Sequence, residues 1–102
     1  MKTAPHIAQH VATLAAELPV EDMWYFEACK APECELSKPF HLVLLVSEGE
    51  EAHLVEERAT GLLGDECRDV SVHAFPQAAL YQLPRPLLLK MAMTAGKCVF
   101  QK

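Results

Sequence analysis

The sequence predicts a small α/β domain whose elements run helix, strand, strand, helix, strand, helix, strand, with three to four strands flanked by helices. Three observations carry that expectation. Ile7, Val11, Leu14 and Leu18 recur at helical period and form a single apolar stripe. His41 to Val46 is a continuous apolar run with two valines, the pattern of a strand covered on both faces. A second apolar segment, Leu87 to Ala95, lies between Pro86, which suits a first helical turn, and Gly96, which suits a helix end.

Each element has its own punctuation. Thr3 can cap the first helix, Pro5 suits its first turn and Pro19 stops it. Met23 to Ala28, with Trp24, Tyr25 and Phe26, reads as a short strand. Cys29 to Pro39 holds two prolines, two lysines and a serine, and reads as a loop. After the His41–Val46 strand, Ser47 followed by Glu50 is a capping-box signature, so the strand is expected to feed a helix directly. Val55, Ala59, Leu62 and Leu63 give that helix its buried face. Glu50, Glu51, Glu56 and Glu57 are assigned to water, and Gly64 is a plausible cap. Val70 to Phe75 is the third strand, with Val70 and Val72 on one face and Ser71 and His73 on the other. Pro76 to Tyr81 is a short helical turn, and Cys98 to Phe100 a last short edge strand.

Composition narrows the function classes. A chain of 102 residues, 51% hydrophobic and 23% charged, fits one domain over residues 1–102 with one core. The net charge of −5, with scattered basic residues, argues against a nucleic-acid binder, which needs clustered Lys and Arg. The run Leu42 to Val46 is far short of the ~20 residues that span a bilayer. Met1 to Pro5 lacks the apolar core of a signal peptide, which makes the cytoplasm the expected compartment and reduced thiols the expected state of the four cysteines.

Two pairs have metal-ligand spacing without a complete ligand set. His6 and His10 stand at i, i+4 on a helical flank with Thr13, and Glu17 lies nearly two turns further on; a solvated flank is the expected reading. Cys29 and Cys34 have no second pair, and Glu33 and Glu35 beside Cys34 raise a thiol pKa, so a loop disulfide or free thiols are expected. No metal or cofactor is expected. The final helix is apolar almost all round, so Leu88, Met91 and Met93, with Trp24 next door, either pack inside the domain or offer a face to a partner.

Order and lengths together resemble the minimal nucleotidyltransferase fold over nearly the whole chain. The corresponding phrases are Val20-Glu21-Asp22-Met23-Trp24-Tyr25-Phe26, then Phe40-His41-Leu42-Val43-Leu44-Leu45-Val46. Leu80-Tyr81-Gln82-Leu83-Pro84 and the ending Ala95-Gly96-Lys97-Cys98-Val99-Phe100 complete the set. The resemblance implies a small mixed sheet and a phosphate-binding Gly-Ser after the first strand, with an acidic pair on the second holding divalent ions.

Here the first site carries Glu27 and Ala28, and no Asp or Glu lies between Leu36 and Val46. Only Asp69 can stand for a third family acid, and one carboxylate cannot assemble a two-metal site. The expectation is a catalytically degenerate nucleotidyltransferase-like domain acting as a protein-interaction or regulatory module. By resemblance, its partner is a HEPN-type helical protein, as for an antitoxin, or a second copy. The alternative is a nucleotide-binding protein or nucleotidyltransferase with an altered site. Glu27, His41, Asp69 and His73 are the candidates in that vestigial cleft, with a Cys29–His nucleophilic pair conceivable. Against this, His41 and His73 also read as partly exposed strand-end residues.

Overall fold

The computed structural model describes residues 7–27, 40–64 and 70–101. Helix α1 is Ile7–Glu17, strand β1 Val20–Glu27, β2 Phe40–Val46, helix α2 Ala52–Leu63 and β3 Val70–Pro76. A 3-10 helix, Gln77–Tyr81, leads to α3, Leu87–Ala95, and β4, Lys97–Gln101. The four strands form one mixed sheet in the order β3-β2-β1-β4. β1 runs antiparallel to both β2 and β4, while β2 and β3 are parallel and joined through α2. This is the expected α/β class and element order, an architecture consistent with a nucleotidyltransferase-like fold.

The sheet is covered on both faces because its centre is apolar on both. α1 and α2 bring Ile7, Leu14, Val55 and Ala59 onto the face formed by Met23, Tyr25, Leu42 and Leu44. The 3-10 helix and α3 bring Ala79, Leu89 and Ala92 onto the opposite face, over Phe26, Val43 and Leu45. Alternation along β2 sends successive side chains into these two cores. In β1 the register shifts between Val20 and Asp22, so Val20 and Met23, three apart, both enter the first core.

Several local expectations are corrected. β1 starts three residues before Met23, because Val20 pairs with Val46 and Pro19 O accepts from Ser47 N at 2.7 Å. Ser47 does not cap α2. Its hydroxyl donates to Glu21 Oε2 at 2.7 Å. The chain turns through Gly49, at φ 88°, before the helix opens after Glu51 without a side-chain cap. Leu62 is 38% exposed, lying about 100° round the helix from buried Leu63. Glu56 is half-buried, and its Oε2 accepts from Ala74 N at 3.0 Å. Gly64 does end α2, at φ 63°. Arg85 ties the proline-rich turn down, donating through Nε to Leu80 O at 2.8 Å. The N-terminal cap Thr3 and the loop Cys29–Pro39 lie outside the described residues.

Two glycines are expected to respond in opposite directions to alanine. Gly96 closes α3 against its own last turn, where a Cβ would press on the Ala92 carbonyl. Gly96→Ala should therefore cost about 1–3 kcal/mol. Gly61 lies within α2 with open space around it, so Gly61→Ala should add roughly 1 kcal/mol by helix propensity. Urea unfolding of the two variants checks both signs.

Candidate functional site

The sheet's registers bring three rings from three strands onto the α3 face. Phe26 of β1 lies opposite His41 of β2, and Val43 of β2 lies opposite His73 of β3. The Phe26 and His41 rings stack with centroids 5.1 Å apart at 16°. His41 Nδ1 and His73 Nε2 are 2.9 Å apart, with ring centroids at 5.1 Å and planes at 18°. That centroid separation nearly equals the contact plus the two ring radii, so the nitrogens face each other along the line of centres. One of them must carry the hydrogen and the other present its lone pair.

Burial makes this bond consequential. His41 is only 2% exposed, so the expectation of a partly exposed strand-end residue fails for it. The reason is its register: it lies between Phe26 and the β3 row. His73 is half-buried and mid-strand. An imidazole withdrawn from water without a partner would cost about 1–3 kcal/mol, and each ring spares the other that loss. The His73 imidazole titrates below its ordinary range, first because burial disfavours its charged form and then because of His41; Glu56 pulls the other way.

The remaining candidates divide. Glu27 ends β1 and lines an apolar groove of about 340 Å³ with Phe26, Leu87, Lys90 and Met91, and no hydrogen bond joins it to either imidazole. Asp69, Cys29, Cys34, Cys67 and His6 lie outside the described residues. Leu88, Met91, Met93 and Trp24 are half-buried and pack against the second core. Trp24 buries its Nε1–H with no acceptor among the described residues. The outward apolar residues nearby are Tyr81, Leu83 and Leu87, 82%, 96% and 68% exposed. A second cavity, about 400 Å³, opens at the carboxyl ends of β2 and β3 between Ser47, Glu48, Glu50, Pro76 and Tyr81. Among the described residues, no three His, Cys, Asp or Glu side chains converge as a metal site, and no helix is long and apolar enough to cross a membrane.

Sequence reasoning missed Phe26 and Glu56. Phe26 meets His41 only through the β1–β2 register, which no local signal specifies. Glu56 is polar on a helix, a pattern that points to water, and only the approach of β3 gives it the Ala74 N–H as partner. The outward place of Leu87 was not legible, because α3 is apolar almost all round and no polar face marks which leucine turns away from the core. Comparison with family models, curated proteins and solved structures gives no match.

The depressed His73 titration fixes a pH dependence. The folded chain binds fewer protons than the unfolded chain in the window between the lowered value and the ordinary 6.5. The contribution of His73 to stability is therefore complete above about pH 6.5, falls as pH drops through that window, and levels below it. Urea unfolding from about pH 7.5 to about pH 5.5 should show that loss, and His73→Gln should flatten it.

Proposed function

We propose that this chain is a nucleotidyltransferase-like domain that has lost nucleotidyl transfer and works through protein contact. The observation that carries this reading is the state of β2 on the α3 face. Its alternate positions there hold His41 and Val43, 2% and 0% exposed. Divalent ions bridging phosphates need oxygen ligands and room for water. An imidazole closed between two rings and a fully buried isopropyl group offer neither. Glu27 at the end of the neighbouring strand adds negative charge where a triphosphate would have to approach.

The contact surface in this reading is the segment from Tyr81 through α3. Tyr81, Leu83 and Leu87 expose large apolar area within one short stretch, beside the groove lined by Leu87 and Met91. Exposed apolar clusters of this kind mark interaction sites. By resemblance to the minimal nucleotidyltransferases, the partner is a HEPN-type helical protein or a second copy of the chain. Leu87 is the residue to test. Leu88 and Met91 are partly committed to the second core, so a charge there would report on folding as well as contact.

A melting-temperature screen with ATP, CTP and GTP, each with Mg²⁺ or Mn²⁺, separates this reading from a surviving nucleotide site. A ligand that binds only the native state must raise stability, by about 2.7 kcal/mol at a hundredfold excess over Kd. No metal-dependent rise is expected; a reproducible one would sink the proposal. Leu87→Asp should leave the melting temperature of the chain unchanged and abolish its binding to a HEPN-type helical partner, read by co-purification.

A further inference from the structure

The two parallel strands, β2 and β3, send their connections to opposite faces of the sheet. β2 leads into α2, which packs in the first core, while β3 leads through the 3-10 helix to α3, and both of these pack in the second. Where neighbouring parallel strands part in this way, their loops diverge and a crevice opens beyond the carboxyl ends. Open α/β sheets bind their ligands at such a place. The cavity of about 400 Å³ lies in that crevice, with Ser47, Glu48 and Glu50 of the β2 connection on one wall and Pro76, Gln77 and Tyr81 of the β3 connection on the other. Its size falls within the roughly 300–1,000 Å³ of small-molecule sites.

The lining defines the chemistry of the occupant. Its charged groups are the Glu48 and Glu50 carboxylates, neither of them in an ion pair among the described residues, and no Lys, Arg or His joins them. Ser47 gives its hydroxyl hydrogen to Glu21 Oε2, which sets a third carboxylate behind the wall. No residue of α2 lines the cavity, so the helix offers none of its N–H groups to an anion there. A phosphate or carboxylate ligand is therefore repelled. A bare divalent ion needs a convergent set of oxygen ligands, and no three acidic, His or Cys side chains converge among the described residues. Tyr81, 82% exposed, adds an aromatic ring to the lining. Carboxylates beside a ring suit an ammonium group, which takes charge-assisted hydrogen bonds from the first and is attracted to the face of the second. We propose that the crevice between the carboxyl ends of β2 and β3 binds a small organic ammonium ion. The proposal does not rest on the loss of nucleotidyl transfer, since Glu27 and His41 lie at the amino end of β2, the far end of the strand.

The test titrates the full chain with putrescine, a primary diamine, and with choline, a quaternary ammonium, while amide NMR signals are followed. At least one of the two should give saturable shifts confined to residues 47–50 and 77–81. Glu48→Gln and Glu50→Gln should each weaken that binding about two- to fivefold, and Tyr81→Leu by a similar factor. All three positions are exposed, so thermal melts without ligand should match the parent chain and keep a folding defect from being read as lost binding. Leu87→Asp, on α3, should leave the affinity unchanged. Absence of saturable shifts with both amines overturns the proposal. So do shifts that sodium chloride at equal ionic strength reproduces, which would show charge screening alone, and binding that ignores both Glu→Gln changes. A response to succinate, a dianion, in place of the amines would overturn the assignment of charge as well.

Discussion

Every side chain of β2 from His41 to Val46 is withdrawn from water, and both helical layers are arranged around that demand. Burying each of its leucines and valines contributes about 1.5–3 kcal/mol. Neither face can supply that burial alone. α1 and α2 must close over Leu42, Leu44 and Val46, and α3 with the 3-10 helix over Val43 and Leu45. The flanking strands follow from the same constraint, because a strand without water must find all its backbone partners in neighbouring strands. β1 supplies them on one side and β3 on the other.

The same constraint acts on the polar residue in the row. His41 occupies a position where an unpaired imidazole would be costly, and the fold meets that cost with one ring below, Phe26, and one nitrogen beside, on His73. A carboxylate there would be in a poor place, enclosed by apolar and aromatic groups that favour its neutral form. The absence of acids from β2 and the closure of the α3 face therefore agree physically: a packed, water-free position has no room for a charged carboxylate. Burial of His73 carries a further consequence, since a bond that needs one bare nitrogen ties the integrity of the β2–β3 pair to proton activity.

At the sheet's margins the chain treats its exposed backbone unequally. Glu56, on a helix, reaches across to occupy a β3 donor, so α2 both covers one face and guards one edge. β4, at the other edge, is a short strand whose ladder with β1 is interrupted by a register shift. Among the described residues, the most exposed large apolar side chains are Tyr81, Leu83 and Leu87 in the Tyr81–Leu87 segment, with Leu54 and Leu62 on α2 less so.

The sequence by itself determined the type and order of the elements. The 3.6-residue stripe of α1, the unbroken run of β2, and the Pro86 and Gly96 limits of α3 are local signals, and each element stands where they put it. That β2 contains no Asp or Glu is likewise a plain reading of residues. What only the tertiary structure decided depends on register and on which elements become neighbours. Ser47 looked like a helix cap until Glu21, far away in the chain, offered a better acceptor. Glu56 looked solvated until β3 presented it a free N–H. His41 and His73 are 32 residues apart, and their bond exists because a parallel ladder sets Val43 against His73. A polar side chain chooses among partners by proximity, and proximity across a sheet is fixed by packing of the whole core, which no short window of sequence contains.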